Sequence, residues 1–203
     1  MFTLDSTVPA EIAPLSWLLG VWEGTGVIDY AIGDEHRSAE FGQRVAFSHD
    51  GLPYLNYAAS SWLLGDGGRD DDPLMHVAES GYWRIARPLG EGDPGPGMLP
   101  ATAPRPYTSA EEVEGLRNAR GAFDLEVSIV HPNGVSELYL GEVKGPRVDL
   151  ATDAVVRTAS AKEYAGATRL YGLVEGHLLW AWDMAALGQE LRTHASARLA
   201  RLE

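Results

Sequence analysis

The feature that most constrains the fold of this chain is a series of short segments in which apolar and polar residues alternate. Residues 123–129 (Phe-Asp-Leu-Glu-Val-Ser-Ile) alternate without a break, and 135–140 resume the alternation after Pro-Asn-Gly at 132–134. An alternation of period two predicts a strand with one buried face, and Asn-Gly between two such runs is a strong hairpin signal. The strands predicted on this basis cover residues 41–47, 54–62, 81–85, 123–129, 135–140, 148–152, 155–159, 169–174, 178–184 and 195–202.

About ten short strands at regular spacing favour an all-β fold, an antiparallel up-and-down β-barrel that closes to hide its edges. Two segments depart from this rhythm. Residues 9–19 have apolar residues spaced for a short N-terminal helix, and 89–122 are rich in glycine and proline, which predicts a long inserted loop. Within that loop, Ser109-Ala-Glu-Glu112 has the pattern of a capping box and predicts one or two helical turns. The length favours a single domain spanning residues 1–203.

Charge and cysteine content exclude several classes of function. The 16 Lys and Arg residues against 29 Asp and Glu give a formal net charge of −13, so nucleic acid and anionic membrane are not expected partners, because both need basic patches. The absence of cysteine excludes disulfides, Fe–S clusters, thiolate-bound metals and cysteine nucleophiles. The N-terminus has no basic region followed by an apolar stretch, so a cytoplasmic location is expected.

The six histidines form no zinc pattern, because the chain has no HExxH and no pair at helical i, i+4 spacing. His49, His131 and His177 lie in apparent turns, and His36 lies among charged residues. We therefore predict that all four are exposed to solvent.

Two other histidines lie in or beside predicted strands. His76 precedes a strand rich in aromatic residues and is predicted to be half-buried at the strand edge. His194 begins the last strand, where period-two spacing places it on the polar face with Ser196 and not on the apolar face with Ala195. A β-bulge, or a position at the barrel mouth, would be needed to direct His194 into a cavity.

Other residue types give no catalytic pattern. Paired carboxylates, such as those of Glu111 and Glu112, fall in polar loops and do not predict the dry pocket that a general acid needs. Ser60 and Ser61 lack the G-x-S-x-G context of an activated nucleophile.

The segment Gly20-Val-Trp22-Glu-Gly24-Thr-Gly26 resembles the G-x-W-x-G-x-G signature near the start of the nitrobindins, a family of haem-binding ten-stranded β-barrels. Near the other end of the chain, Met-Ala-Ala-Leu-Gly-Gln-Glu-Leu-Arg-Thr-His at 184–194 resembles the closing segment of that family. Four further segments resemble nitrobindin segments in the same order, at 41–55, 76–85, 131–134 and 161–163.

The resemblance implies that the chain binds haem b, with His194 as the axial ligand of the iron and the catalytic residue through it. It also implies His76 as a second pocket residue and Lys162 as a contact to a haem propionate. The implied activity is the binding of NO and the isomerisation of peroxynitrite to nitrate by ferric iron. The mostly apolar pocket would lack a distal hydrogen-bond donor unless His76 turned into it, and without such a donor the iron should rest in the ferric state. The chain departs from the family in two places: residues 27–39 lack its Tyr-Pro-Thr piece, and the insertion at 89–122 would cover the barrel mouth or mediate a homodimer.

Two other functions remain open. A non-catalytic carrier of a fatty acid or other apolar ligand would need a cation inside the barrel to hold the carboxylate, and the candidates are Arg44, Arg84 and Arg169. A haem sensor or carrier without turnover would use the insertion at 89–122 to contact a partner. His194 discriminates against the lipid carrier, which has no need of it.

Overall fold

A computed structural model of the chain describes residues 8–32, 35–64, 77–186, 188 and 190–202. The strands are β1 (Gly20–Ile32), β2 (Glu35–Ser48), β3 (Leu55–Leu63), β4 (Val77–Ile85), β5 (Phe123–His131), β6 (Val135–Lys144), β7 (Arg147–Arg157), β8 (Tyr164–Val174), β9 (His177–Ala186) and β10 (Arg192–Arg201). They close into one antiparallel barrel in the spatial order β1-β10-β9-β8-β7-β6-β5-β4-β3-β2. A 3₁₀-helix (Ala10–Leu18) precedes the barrel, while a 3₁₀ turn (Pro96–Met98) and an α-helix, α1 (Ala110–Glu114), lie between β4 and β5. None of the described helices is long and apolar enough to cross a membrane.

The structure confirms the ten-stranded antiparallel barrel predicted from the alternation. The prediction of separate strands at 148–152 and 155–159 is wrong, because 148–157 form part of one strand, β7, which ends at Arg157. The register of β7 against β6 shifts between Thr152 and Ala154, so Asp153 is the extra residue of a β-bulge. That extra residue moves the alternation by one position, and a single strand therefore has the sequence pattern of two.

The first strand, β1, is not among the predicted strands, because its glycines lower the strand propensity. The structure gives the reason for these glycines. A Cβ atom at Gly24 would lie 2.3 Å from the carbonyl oxygen of Arg198, and one at Gly26 would lie 2.3 Å from the carbonyl oxygen of Ser196. The glycines of the G-x-W-x-G-x-G segment therefore let β1 and β10 approach closely enough to pair.

One end of the barrel, here called the floor, is closed by the helix predicted at 9–19. Ile12, Leu15 and Leu18 of this helix are almost fully buried and belong to the barrel core. The indole Nε1–H of Trp22 donates a hydrogen bond of 2.8 Å to the carbonyl oxygen of Leu18 and so joins the helix to β1. The tryptophan of the signature segment is thus a structural residue of the floor.

The insertion at 89–122 also lies at the floor. In an up-and-down barrel, successive connections alternate between the two ends, and this one joins the end of β4 at Ile85 to the start of β5 at Phe123. The expectation that the insertion covers the mouth is therefore wrong. The predicted capping box is confirmed, since Ser109 and Glu112 bond each other's backbone N–H groups at the start of α1.

Candidate functional site

The opposite end of the barrel, here called the mouth, holds a cavity of about 350 Å³. Its wall is mainly apolar and includes Ile28, Phe41, Leu63, Trp180, Trp182 and Met184. The polar side chains that the described residues add to this wall are those of Gln43, Ser61, Glu79 and His194. Apolar cavities of about 300–1,000 Å³ with a few placed polar groups are typical sites for small ligands and cofactors.

His194 reaches this cavity because of a β-bulge. Thr193 pairs with Asp183 and Ala195 pairs with Trp182, which leaves His194 as an extra residue without a partner on β9. The bulge interrupts the alternation that places His194 on the polar face, and the residue lines the cavity beside Ala195. The sequence analysis required a β-bulge or a position at the mouth to direct His194 into a cavity, and the structure contains that bulge.

The surroundings of His194 keep its imidazole neutral. Burial lowers the pKa of His194, and the positive charge of Arg192 lowers it further. The ring contacts Trp182 edge-on, with 5.5 Å between centroids, and Tyr30 at 5.6 Å. Neither ring nitrogen of His194 has a hydrogen-bond partner among the described residues. A neutral imidazole with a free nitrogen in an apolar cavity is the donor that haem iron takes as an axial ligand, so the residues present fit that cofactor.

The two other residues predicted for the pocket have different outcomes. His76 lies outside the described residues, so its place in the pocket stays a prediction. Lys162 is exposed at a second, smaller cavity of about 180 Å³, whose wall includes Tyr164 and also Trp182. This smaller cavity adjoins that of His194 through the shared Trp182. A contact of Lys162 with a propionate also stays a prediction.

Beside both cavities lies a set of buried charges that the sequence analysis missed, here called the mouth cluster: Arg169, Glu79, Glu137 and His131. Arg169, whose side chain is 1% exposed, donates hydrogen bonds of 2.8 Å to both carboxylate oxygens of Glu79. Glu137 lies 3.6 Å from the same guanidinium. It accepts hydrogen bonds from His131 Nε2 at 2.6 Å and from the Tyr139 hydroxyl at 2.5 Å.

Arg169 keeps both acids of the mouth cluster ionised. Burial alone would raise the pKa of Glu79, but the charge and hydrogen bonds of Arg169 lower it to about 2. For Glu137, burial is again opposed, here by the hydrogen bond from His131 and the charge of Arg169, and the pKa is lowered. Both carboxylates are therefore negatively charged at neutral pH. The Arg169 guanidinium and the hydrogen bonds to the carboxylates stabilise these charges.

The prediction that His131 is an exposed turn histidine is wrong. Its side chain is 9% exposed, and its ring stacks on Trp182 with 6.4 Å between centroids. A sequence signal for this burial exists, because His131 continues the inward face of 123–129 with the same period of two. In the same way, Glu79 shares the inward face of its strand with the buried Trp83. A charged residue at an inward position is the pattern that indicates such a cluster.

The three arginines considered for a fatty-acid carrier do not serve that role. Arg44 is exposed and lies 3.4 Å from Glu23 on the outside of the barrel. Arg84 is paired with Glu126, also on the outer face. Arg169 is inside the barrel, but both of its terminal nitrogens bond Glu79. None of the three therefore presents a free cation to a carboxylate in the cavity.

Comparisons with known proteins agree with this geometry. A family model described as "THAP4-like, heme-binding beta-barrel domain" matches residues 11–201 of the chain. A curated protein named peroxynitrite isomerase from Leifsonia xyli subsp. xyli is 68% identical over 203 residues, covering 100% of both chains. One of the same name from Clavibacter michiganensis subsp. michiganensis is 63% identical, again over 100% of both. The crystal structure of Rv2717c from M. tuberculosis superposes with a TM-score of 0.68 at 25% identity, covering 97% of this chain and 99% of that one.

Proposed function

Because this chain belongs to the family of THAP4-like haem-binding β-barrel domains, we propose that it is a haem-dependent peroxynitrite isomerase with His194 as the axial ligand. Relatives that carry the name peroxynitrite isomerase match it at 63% and 68% identity over their full lengths. Similarity of that extent covers the cavity as well as the barrel framework, and it favours an enzyme over a lipid carrier. The substrate is peroxynitrite and the product is nitrate.

The single observation that carries the assignment of the iron ligand is the β-bulge at His194. A bulge interrupts the hydrogen-bond ladder and persists where it re-aims a side chain. Here it turns a neutral imidazole from the polar face of β10 to the wall of an apolar cavity. The bulge thus explains how a residue that the alternation assigns to the polar face comes to line the cavity.

The reaction needs no co-substrate, because peroxynitrite and nitrate contain the same atoms and carry the same charge. One O–O bond breaks and one N–O bond forms, with no net transfer of protons or electrons. When bound, ferric haem would supply a Lewis-acidic iron that can take a small anionic ligand. His194 would hold the group through a ring nitrogen, and the apolar walls would exclude water from the reacting anion. The buried mouth cluster keeps Trp182 in place beside His194.

Further parts of the proposal concern the ligand, the cofactor type and the setting. We propose haem b, because a chain without cysteine cannot form the thioether bonds of a c-type haem. We also propose NO as a second ligand, since it is a small molecule that haem iron would bind in the same cavity. A cytoplasmic location, a homodimer formed through 89–122, and the absence of nucleic-acid and membrane partners are proposed from the sequence and the net charge of −13.

Titration of the apoprotein with hemin, followed by the Soret band, tests the ligand assignment. Wild type is expected to bind one haem per chain with the spectrum of a histidine-ligated ferric haem. His194→Ala should lose or shift that spectrum, and His194→Gly should regain it when free imidazole is added. His36→Ala is the matched control, because His36 is exposed on β2. A spectrum in His194→Ala identical to that of wild type would overturn the assignment.

The activity is tested by the decay of peroxynitrite in a stopped-flow instrument, with nitrate measured as the product. The holoprotein is expected to accelerate the decay and to raise the yield of nitrate over nitrite. Decay at the same rate with and without the holoprotein would refute the isomerase proposal, even if haem is bound.

A further inference from the structure

A chain of two hydrogen bonds crosses the inside of the barrel beside the His194 cavity. The indole Nε1–H of Trp180 donates to Gln43 Oε1 at 2.6 Å, and Gln43 Nε2 donates to Ser61 Oγ at 3.1 Å. Gln43 and Ser61 face each other directly on β2 and β3, whereas Trp180 comes from β9. All three residues line the cavity that also contains His194.

The direction of this chain follows from the chemistry of its members. An indole nitrogen can only donate a hydrogen bond, so the amide oxygen of Gln43 must face Trp180. The amide nitrogen of Gln43 is then presented to Ser61, whose oxygen accepts. A flipped amide would place two donors against each other, and Gln43 and Trp180 are both buried, where such a mismatch is costly. The orientation of the Gln43 amide is therefore determined.

The orientation of the Gln43 amide determines which hydrogen-bonding role is left to the Ser61 hydroxyl. Because the Ser61 oxygen is used as an acceptor, its O–H remains to be donated, and it has no acceptor among the described residues. Ser61 is half-buried, lies on the inward face of β3 and lines the cavity, so its O–H is free to donate to a ligand there. A donor of this kind is complementary to an anion that carries oxygen atoms.

Two other polar groups of the described wall, the Glu79 carboxylate and the Trp182 indole, do not offer such a donor. Glu79 is ionised, accepts only, and is already bonded by Arg169. The indole N–H of Trp182 also has no partner among the described residues, but it is fully buried and has no surface towards the cavity. Among the described residues that line the cavity, Ser61 carries the hydroxyl group, and its free O–H fits an anionic oxygen.

We propose that Ser61 donates a hydrogen bond to the oxyanion bound in the His194 cavity, and that Gln43 and Trp180 are positioning residues that set its direction. The identity of that oxyanion, peroxynitrite or nitrate, rests on the proposed function. The hydrogen-bond chain itself does not depend on it. The sequence analysis named only His76 as a possible hydrogen-bond donor in the pocket, and this assignment adds Ser61.

The affinity of the ferric holoprotein for fluoride tests the donor, because fluoride is a small anion and a strong hydrogen-bond acceptor. A charge-assisted hydrogen bond in a dry site contributes enough for Ser61→Ala to weaken fluoride binding about tenfold or more. Ser61→Thr keeps the hydroxyl and should retain most of the wild-type affinity. Ser60→Ala is the matched control, because Ser60 is the neighbouring serine on the outer face of the same strand.

The positioning role is tested by Gln43→Met alone and together with Ser61→Ala. Gln43→Met leaves the hydroxyl in place but removes the group that directs it, so fluoride affinity should fall by less than in Ser61→Ala. The double variant should be no weaker than Ser61→Ala, because the amide acts through the hydroxyl. Losses that add in the double variant would show that Gln43 acts independently, and would overturn the positioning role.

The experiments separate this inference from the proposed function. If wild type fails to bind hemin, the proposed function fails, and the chain of hydrogen bonds is then tested in the apoprotein. There, exchange of the Trp180 indole proton should be slow in wild type and faster in Gln43→Met. If hemin binds and Ser61→Ala has the fluoride affinity of wild type, the donor assignment is wrong and the proposed function stands.

Discussion

Two buried ion groups lie at opposite ends of the barrel, and each combines one arginine with two carboxylates. At the floor, Arg87 donates hydrogen bonds of 2.6 and 2.8 Å to Asp93 and one of 3.2 Å to Glu11. At the mouth, Arg169 makes the two bonds of 2.8 Å to Glu79 described above. The two groups have similar composition and similar bond lengths, yet they serve different parts of the molecule.

The floor group joins segments that are distant in the sequence. Glu11 comes from the 3₁₀-helix and Asp93 from the insertion, and the ring of Tyr107 covers the Arg87 guanidinium at 5.1 Å. All three charged side chains are at most 7% exposed. The floor group therefore fastens the helix and the insertion to the barrel.

The mouth cluster instead joins strands of the barrel wall and borders the His194 cavity. The Arg169 guanidinium lies 4.5 Å from the ring of Trp182, and Glu79 lines the His194 cavity. A buried ion pair adds little net stability over an apolar pair, but removing one partner is strongly destabilising. The comparison shows that a buried arginine with two carboxylates can serve two purposes. At the floor it fastens the segments that close the barrel, and at the mouth it fixes the side chains of a cavity wall.

Removing the arginine at the mouth should have the largest effect. Arg169→Met leaves two buried carboxylates without their cation, so the free energy of unfolding should fall by about 3–5 kcal/mol. Urea denaturation of the apoprotein measures the change. Arg44→Met is the control, because its exposed pair with Glu23 contributes at most about 1 kcal/mol. Equal small losses in both variants would mean that the mouth cluster is not a buried ion group in solution.

Removing the arginine at the floor should have a smaller effect and a different signature. Arg87→Met breaks three charge-assisted hydrogen bonds, but the exposed residues 88–91 beside Asp93 let water reach the freed carboxylate, so the free energy of unfolding should fall by about 1.5–3 kcal/mol. The hemin affinity of the remaining folded protein should equal that of wild type, because the cavity lies at the other end. A hemin affinity that falls with Arg87→Met would refute the independence of the two ends.

Glu79 of the mouth cluster should contribute to the pH dependence of the free energy of unfolding. The pKa of Glu79 is lowered from 4.5 to about 2 on folding, so its contribution is complete above the unfolded pKa and is lost as the pH falls towards 2. In Glu79→Gln, the slope of unfolding free energy between pH 4.5 and 2 should be shallower by up to about 1.4 kcal/mol per pH unit. Denaturation series at several pH values measure this slope, and an unchanged slope would contradict the pairing with Arg169.

The smallest effect is expected from the helix cap at the floor. Ser109→Ala removes the oxygen that accepts from the Glu112 N–H, so the free energy of unfolding should fall by about 1 kcal/mol. Ser136→Ala, at an exposed position of β6, should change it little. Thermal unfolding of the two variants distinguishes these outcomes. A loss of hemin affinity in Ser109→Ala would again count against the separation of floor and mouth.

The barrel was predictable because its main signals are local. The alternation at 123–129 and 135–140 and the turn between them depend only on neighbouring residues, and the structure confirms both strands. The split of β7 into two predicted strands has the opposite cause. A bulge at Asp153 is set by how β7 pairs with β6, and a pattern of period two cannot express it.

The candidate site was predictable only in part. The spacing placed His194 on the polar face of its strand, whereas the resemblance to nitrobindins made it the ligand of the iron. The β-bulge explains how both can hold, but it depends on how β9 pairs with β10 and is not visible in the sequence. Ser61 was weighed only as a nucleophile, because its hydrogen-bond direction depends on Trp180 from a distant strand. Arg169 and Glu79 are 90 residues apart, so no local pattern joins them.

The sequence by itself determined the class of fold, the capped helix in the insertion and the absence of thiolate chemistry. These follow from hydrophobic periodicity, turn residues and composition, which act over a few residues. The predicted count of ten strands agrees with the structure because the split of β7 offsets the missing β1. Only the tertiary structure decided which end of the barrel is open, that the insertion lies at the floor, and that His194 and the mouth cluster face one cavity. The physical reason is that barrel closure brings distant strands together, and burial then decides which polar groups must pair and which remain free for a ligand.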